Sequence, residues 1–199
     1  MSLIKFFQKE VPEAGCDEAG RGPLAGPVFA AALILDPKKR IAGLDDSKKL
    51  SESSRNSLRL EIEEKALAWA VASLDNVEID KYNILKSSFM AMHKALNQLK
   101  VEPGLLLIDG NRFLPYKKIP HRCEIKGDGK FQAIAAASIL AKTYRDDYMD
   151  KIHQEFPMYG WDQNKGYPTK AHREAIKIHG PCKYHRLSFR LLDDQLHLF

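Results

Sequence analysis

The chain has 199 residues, of which 44% are hydrophobic and 29% charged, a composition typical of one soluble globular domain. Its formal net charge of +5 allows a polyanionic partner but does not require one. The three cysteines lack metal-binding spacing, and no signal peptide or membrane span is evident, so we expect a monomeric cytoplasmic protein that does not enter a membrane. No repeat or linker divides the chain, and residues 1–199 are expected to form a single domain.

The first third of the chain predicts two strands, a loop and a helix. Apolar residues at 13–19 and 27–35 indicate strands on either side of a glycine-rich turn. The charged stretch 40–50 indicates a loop, and Ser51 or Ser53 is a suitable N-cap for a helix after it. The apolar face of this helix is expected to comprise Leu58, Ile62, Ala66 and Trp69.

The middle of the chain alternates strands and helices. Segments 69–74, 105–110 and 121–125 predict three further strands. A clear helical period lies between the first two of these, where apolar residues recur in steps of four and three at Leu85, Phe89, Met92, Leu96 and Leu99. This alternation predicts an α/β fold, a mixed β-sheet with helices on its faces.

A long helix and a basic C-terminal part complete the prediction. Small residues along 131–156 indicate a helix that packs closely against its neighbours. Residues 160–190 contain seven lysines and arginines, and a helix is predicted at about 169–179. His172, His179 and His185 lack metal-binding spacing, so we interpret them as part of a basic surface without a catalytic role.

Carboxylates stand at the ends of predicted core strands. Asp17 and Glu18 end the first strand, Asp109 closes the fourth, and Asp128 precedes the long helix. Buried carboxylates cost free energy unless their charge is neutralised, and Mg²⁺ or Mn²⁺ would neutralise it. Two such ions would activate water and stabilise the leaving oxygen of a phosphodiester. The alternative, that Asp17 and Asp109 cap turns or pair with lysines, stays open on residue chemistry alone.

Six short motifs occur in order between residues 13 and 190. They are 15–27 (GCDEAGRGPLAGP), 44–50 (LDDSKKL), 107–111 (LIDGN), 125–128 (IKGD), 136–142 (AASILAK) and 165–169 (KGYPT). Together they resemble the motifs of the type 2 ribonucleases H, the ribonuclease HII family.

The resemblance implies a ribonuclease-H-like mixed sheet flanked by helices, with a small helical C-terminal extension. It also implies that Asp17, Glu18, Asp109 and Asp128 are the catalytic acids and hold two ions of Mg²⁺ or Mn²⁺. The implied reaction is hydrolysis of the RNA strand of RNA–DNA hybrids and cleavage 5′ to single ribonucleotides in duplex DNA, leaving 3′-hydroxyl and 5′-phosphate ends. The alternatives are a DNA nuclease of the same fold and a hybrid-binding module without activity.

The segment Gly20-Arg21-Gly22 and Tyr167 are candidates for reading the sugar. Glycine lets the backbone approach a ligand, an exposed amide or carbonyl can bond a 2′-OH, and arginine can hold a phosphate. The resemblance implies that these residues recognise a ribonucleotide followed by a deoxynucleotide, with Tyr167 stacked on the sugar that lacks a 2′-OH. Without it, the glycines indicate a tight turn and Tyr167 a packing residue.

Polar residues of two further motifs are candidate phosphate contacts. Ser47, Lys48 and Lys49 either touch the nucleic-acid backbone or form a solvated loop. Ser138 and Lys142 lie four residues apart on one helix face. Both could meet a phosphate near the metals, and the alternative is a polar stripe on an alanine-rich helix.

The segment 195–199 resembles the short peptides by which bacterial replication and repair proteins bind the sliding clamp. Its candidate partner-binding residues are Gln195, Leu196, Leu198 and Phe199. Exposed apolar side chains so close together are unusual unless they dock on a partner. The alternative is that they pack back on the domain.

Overall fold

A computed structural model describes residues 3–192, and in this part of the chain five strands form one mixed sheet in the order β3-β2-β1-β4-β5. The strands are β1 (Glu13–Ala19), β2 (Val28–Ile34), β3 (Ala68–Leu74), β4 (Leu105–Asp109) and β5 (His121–Glu124). The first three strands pair antiparallel, whereas β4 runs parallel to both β1 and β5. The predicted mixed α/β sheet is confirmed.

Helices cover both faces of this sheet. They are α1 (Glu52–Lys65), α2 (Asn76–Tyr82), α3 (Ile84–Gln98), α4 (Gln132–Glu155), α5 (Trp161–Asn164) and α6 (Lys170–His179). Apolar residues of α3 pack against one face of the sheet, and those of α1 and α4 pack against the other. The sheet is therefore buried on both sides, as its parallel pairs require.

The close packing of α4 depends on Gly15 in β1. A Cβ atom on Gly15 would lie 2.2 Å from the carbonyl carbon of Ala133, inside any permitted contact distance. The small residues Ala136 and Ala137, on the next turn of α4, are fully buried in the same apolar cluster. Helix α4 therefore approaches the sheet backbone closely and brings its residues to the end of β1.

The apolar face predicted for the first helix is wrong at two of its four positions. Helix α1 ends at Lys65, and Ala66 is its extended C-cap. The backbone amide of Leu67 donates to the carbonyl of Ile34 at 2.9 Å, which draws the chain into the sheet. Trp69 consequently lies in β3, paired with Leu33.

Helix α2 was not expected from the pattern of apolar residues. It has a capping box in which the Asp75 side chain accepts from the backbone of Glu78, and the Glu78 side chain accepts from the backbone of Asp75. The remaining predicted helices and strands are present with ends within one residue or two of the expected ones.

The C-terminal part is less exposed than a basic surface would be. His172 and His185 are at most 1% exposed, so the interpretation of these two as surface residues is wrong, whereas His179 is exposed; Arg186 is also fully buried. The three buried residues lie inward because α6 and the segment after it pack on α5 and on residues 24–26, before β2, around the buried Trp161. In residues 3–192, no helix is long and apolar enough to cross a membrane.

Candidate active site

Strand pairing brings Asp17 and Asp109 to the same level of the sheet. Cys16 pairs with Ile108 in the parallel ladder between β1 and β4, and each aspartate is the next residue of its strand. Both aspartates therefore stand at the carboxyl ends of adjacent parallel strands. Successive residues of a strand face opposite sides of the sheet, so both side chains point to the side covered by α4.

Asp128 reaches the same region through a tight turn before α4. The turn Gly127–Gly129 is a single 3₁₀ turn, and it begins after Lys126 in the left-handed conformation. The backbone amide of Gly127 donates to Asp109 Oδ1 at 2.7 Å, which ties this turn to the end of β4. Asp128 is 4% exposed, and its own Oδ1 accepts from the amide of Gly129.

The carboxylates of this site are largely buried and repel one another. Burial raises the pKa of Asp17 well above its ordinary value, and repulsion from Glu18 and Asp109 raises it further. Burial also raises the pKa of Glu18, against the lowering effect of Arg21. Burial and the charge of Asp109 raise the pKa of Asp128. Excess negative charge of this kind favours a bound cation.

Two exposed cations now offset part of this charge. Arg21 Nη1 lies 3.2 Å from Glu18 Oε1, and Lys48 Nζ lies 3.7 Å from Asp128 Oδ2. Within the described residues, neither Asp17 nor Asp109 forms an ion pair with a lysine. The interpretation of these two aspartates as lysine partners therefore has no support in the structure.

The donor set fits a hard divalent cation in its chemistry. It consists of carboxylate oxygens at buried strand ends, the ligand type that Mg²⁺ and Mn²⁺ prefer. Among residues 3–192, however, no three His, Cys, Asp or Glu side chains stand in a ready-made metal-binding arrangement. The carboxylates instead accept from local amides or pair with Arg21 and Lys48. Binding of a cation would therefore require these side chains to reorient.

A cavity of about 310 Å³ opens beside the carboxylates and gathers the predicted substrate residues. Asp17, Glu18 and Asp109 line one part of it. Ala19 and eight of the nine candidate substrate residues also line it: Gly20, Arg21, Gly22, Ser47, Lys48, Ser138, Lys142 and Tyr167. The ninth, Lys49, is outside this lining and pairs with Asp45. Asp128 is outside this lining and adjoins it through Lys48. Residues that are more than 140 positions apart in the chain thus surround a single cavity.

Residues 20–22, here called the GRG loop, are held from behind by Arg186. This guanidinium donates to the carbonyls of Gly20 at 2.7 Å, Arg21 at 3.1 Å and Gly26 at 2.9 Å. Burial lowers its pKa to about 9. Three carbonyl dipoles thus solvate a buried positive charge, and in doing so they fix the course of the loop.

Arg145 of α4 holds the chain that follows the GRG loop and the segment before Tyr167. It donates to the carbonyls of Pro27 at 3.2 Å and Lys165 at 3.0 Å, and burial lowers its pKa to about 10. Gly20 has a φ of +97°, and a Cβ there would lie 2.1 Å from Arg145 Nε. Only glycine fits between this guanidinium and the cavity.

Tyr167 lies on the open side of the GRG loop. Its ring is partly exposed, and its Cε1 would lie 3.6 Å from a Cβ placed on Gly22. The guanidinium of Arg145 is 5.9 Å from the ring centroid, on the protein side. The ring and the loop therefore form adjacent walls of the cavity.

The serines and lysines of the cavity differ in whether another side chain of the protein already binds them. Ser47 Oγ and Ser138 Oγ are 2.9 Å apart and buried, and the nearby Ser138 hydroxyl lowers the pKa of Asp17 against the larger rise that burial causes. Lys142 is paired with Asp146, one turn further along α4, whereas Lys48 is exposed. Ser138 thus lines the cavity with the carboxylates, and Lys142 must leave Asp146 to reach a phosphate.

The sequence prediction missed both buried arginines. Arg145 follows Ser138 and Lys142 at positions seven and three further along α4, so helical spacing puts all three on one face. That spacing could have identified it. Arg186 lies in a segment without regular periodicity, and nothing in its sequence neighbourhood distinguishes it from a surface arginine.

Comparisons with known proteins agree over nearly the whole chain. The family model described as Ribonuclease HII matches residues 14–192. A protein named Ribonuclease HII from Bacteroides fragilis is 61% identical over 99% of this chain and 98% of its own length. Those of Parabacteroides distasonis and Cytophaga hutchinsonii are 60% and 51% identical, over 98% and 100% of this chain and 98% and 99% of their own lengths.

Solved structures are similar in fold. The ribonuclease H2 of Pyrococcus horikoshii OT3 has a TM-score of 0.77 at 27% identity, over 90% of this chain and 94% of that one. The RNase HII in a complex with PCNA from Archaeoglobus fulgidus has a TM-score of 0.75 at 25% identity, over 93% and 98%. Bst-RNase HIII in complex with Mn²⁺ has a TM-score of 0.70 at 20% identity, over 91% and 68%, which is a likeness of fold alone.

Proposed function

Since the chain belongs to the ribonuclease HII family and is an endoribonuclease acting on RNA–DNA hybrids, we propose that it also cuts 5′ to single ribonucleotides embedded in duplex DNA, by two-metal-ion catalysis. Cleavage on that side leaves a 3′-hydroxyl and a 5′-phosphate. The observation that carries the proposal is the single cavity in which three strand-end carboxylates adjoin the GRG loop and Tyr167.

The catalytic acids are Asp17, Glu18, Asp109 and Asp128, and their oxygens would hold the ions. Two divalent cations bound there would activate water and stabilise the leaving oxygen of the phosphodiester. The raised pKa values of Asp17 and Glu18 support this assignment, because burial, and for Asp17 also repulsion from Glu18 and Asp109, disfavours the charged carboxylates unless a cation neutralises them.

Arg21 and Lys48 have a second role once the carboxylates are neutralised. Each now pairs with one acid, and each is largely exposed at its charged end. With divalent cations held by the carboxylates, Arg21 and Lys48 would no longer be needed as their partners and could bind phosphates on either side of the scissile bond. Lys142 and Ser47 line the same cavity and contribute further phosphate contacts.

The GRG loop and Tyr167 read the sugars. Backbone groups of Gly20 and Gly22 approach the 2′-OH of the ribonucleotide, the group that distinguishes RNA from DNA. The Tyr167 ring stacks on the next sugar, which lacks that hydroxyl. Its partial exposure and its position beside Gly22 support this role over simple packing.

Two other functions considered from the sequence are excluded by family membership. A DNA nuclease of the same fold is one of them, and a hybrid-binding module without catalytic activity is the other. Neither agrees with 51–61% identity to ribonucleases HII over nearly the full chain.

The proposal is tested with three duplexes: one with a single embedded ribonucleotide, its all-DNA twin, and an RNA–DNA hybrid. We expect the first and third to be cut only with Mg²⁺ or Mn²⁺ present, and the all-DNA duplex to stay intact. End analysis should give a cut 5′ to the ribonucleotide. If the RNA–DNA hybrid is cut and the single-ribonucleotide duplex stays intact, the proposal is contradicted.

We also propose that the segment 195–199 binds the bacterial sliding clamp through Gln195, Leu196, Leu198 and Phe199. These residues lie outside the described part of the chain, so the support comes from their sequence. The A. fulgidus RNase HII was solved in a complex with PCNA, which makes a clamp partner plausible for a related enzyme. Burial of three apolar side chains, less the cost of ordering the segment, gives an affinity on the order of micromolar.

A further inference from the structure

Two histidines form a buried chain of hydrogen bonds that ends at the backbone of Tyr167. His172 Nδ1 lies 2.9 Å from the Tyr167 carbonyl oxygen. His172 Nε2 lies 3.3 Å from His185 Nε2 and 3.0 Å from the indole nitrogen of Trp161. His185 Nδ1 accepts from the backbone amide of Cys182 at 3.0 Å. The catalytic proposal above uses none of these groups.

The partners fix which nitrogen of each ring carries the proton. His172 Nδ1 faces a carbonyl and must donate, so in the neutral ring Nε2 is the acceptor for Trp161. His185 Nδ1 accepts from an amide, so its proton is on Nε2 and points at His172 Nε2. His172 Nε2 has one lone pair, which mainly accepts from the Trp161 indole at 3.0 Å and is shared with His185 Nε2 at the longer distance of 3.3 Å. Both donors require the proton of His172 to be on Nδ1, where it faces the Tyr167 carbonyl.

Both rings are held in the neutral form. His172 and His185 are at most 1% exposed, and no carboxylate in residues 3–192 contacts either ring. Burial lowers the pKa of both, that of His185 to about 4 with a contribution from His172. The hydrogen-bond directions are therefore constant across neutral pH.

The segment that holds His185 also holds the GRG loop. Residues 184–186 pair with residues 24–26: the Gly26 amide donates to the Tyr184 carbonyl at 2.9 Å, and the Arg186 amide to the Leu24 carbonyl at 2.8 Å. The Arg186 side chain then reaches the GRG loop. Neighbouring residues thus support both walls of the sugar-reading cavity.

We propose that His172 is a positioning residue for Tyr167, and that His185 holds His172 in the orientation and tautomer this requires. The Tyr167 carbonyl also accepts from the Thr169 amide at 2.8 Å, and together these two donors fix the peptide that carries the ring. The proposal rests on the sugar-reading role of Tyr167. Loss of the His172 bond should impair cleavage where a deoxynucleotide follows the ribonucleotide, and should affect a continuous RNA strand less.

Two substitutions of His172 separate its two hydrogen bonds. His172→Asn keeps an amide near the position of Nδ1 and loses the acceptor for Trp161. His172→Gln keeps a polar group near the position of Nε2 and loses the donor to Tyr167. His179→Asn, an exposed histidine on the same helix, is the matched control, and Tyr167→Ala is the reference for lost sugar reading.

The measurement is kcat/KM on a single-ribonucleotide duplex divided by kcat/KM on a hybrid, with thermal stability recorded for each variant. We expect His172→Gln to lower this ratio about tenfold, toward that of Tyr167→Ala, and His172→Asn and His179→Asn to keep it within about twofold. If Tyr167→Ala lowers the ratio and folded His172→Gln does not, the positioning role is wrong and the function of Tyr167 stands. If Tyr167→Ala keeps the ratio, both are wrong.

Nitrogen NMR of the histidine rings in the full chain tests the proposal without any substitution. We expect the proton on Nδ1 of His172 and on Nε2 of His185 at pH 7. A His172 ring protonated on Nε2 would overturn the proposal, because it could not donate to the Tyr167 carbonyl.

Discussion

At the scale of single residues, the shape of the cavity depends on two buried arginines that bind backbone carbonyls and on one glycine that packs against an arginine. Arg145 and Arg186 are buried cations whose partners are carbonyl oxygens of the chain around the GRG loop. Gly20 lies directly against Arg145, in a conformation that disfavours a side chain. Replacement of Gly20 must therefore move either the guanidinium or the loop.

We expect Gly20→Ala to lower the free energy of unfolding by about 2 kcal/mol more than Gly43→Ala does. Gly43 also has a positive φ, of +79°, but no atom lies within 4 Å of its Cβ position, so the difference isolates the contact with Arg145. Gly20→Ala should also reduce cleavage at a single ribonucleotide at least about tenfold, a barrier change of about 1.4 kcal/mol. Chemical denaturation and single-turnover rates measure the two effects. Equal behaviour of the two variants would mean that the Gly20 contact is unimportant.

The sequence identifies the candidate catalytic acids more readily than the buried basic residues that hold the surrounding backbone. Asp17 and Asp109 are recognisable because a carboxylate at the end of an apolar run is costly without a partner. No comparable pattern identifies Arg186 and His185, because a basic residue in a basic segment gives no indication in the sequence of whether it is buried or exposed. Their burial follows from tertiary packing around Trp161, which single-residue chemistry does not encode.

At the scale of elements, the contact between β1 and α4 brings the two halves of the site together. Helix α4 carries Ser138 and Arg145, and β1 carries Asp17. The contact is made at Gly15, where backbone meets backbone without an intervening side chain. Any atom added there pushes α4 away from the carboxylates.

We expect Gly15→Ala to destabilise the protein by about 3 kcal/mol, because its Cβ would meet three backbone atoms of Ala133 and Ile134 within 2.6 Å. Gly129→Ala is the control, since no atom lies within 4 Å of its Cβ position, and its effect should stay within about 0.5 kcal/mol. The midpoint of urea denaturation reports both. A Gly15→Ala protein as stable as wild type would show that α4 is not packed as closely as described.

Apolar periodicity predicts most of the elements but not all of their ends. It continues through Ala66 and Trp69 as though α1 were longer, because residues on a strand and on a helix can both be apolar. The sheet determines the end of α1 through the Leu67 amide. Helix α2 could have been predicted from Asp75 and Glu78, whose spacing is that of a capping box.

At the scale of the whole molecule, catalysis and clamp binding are assigned to separate parts of the chain. The proposed catalytic acids and substrate residues lie between Asp17 and Tyr167, and the proposed clamp-binding residues lie at 195–199. If the two functions are independent, removal of the second leaves the first intact.

We expect deletion of residues 195–199 to abolish binding to the bacterial sliding clamp and to leave cleavage of a short duplex unchanged. Surface plasmon resonance with the clamp and a cleavage assay without it measure these outcomes. The substitution Leu198→Ala with Phe199→Ala in the full-length chain is the matched control for the loss of apolar contacts. Unfolding on deletion, or no clamp binding by the intact chain, would mean that the segment packs on the domain.

The central claim is that the carboxylates at the ends of β1 and β4 hold the catalytic metal ions. Asp109→Asn tests it, because asparagine keeps an oxygen that can accept from the Gly127 amide while removing one negative charge from the cluster. The fold should therefore survive. The measurement is the single-turnover rate of cleavage at an embedded ribonucleotide in saturating Mg²⁺. We expect Asp109→Asn to be at least about a hundredfold slower than wild type, and a rate near that of wild type would contradict the claim.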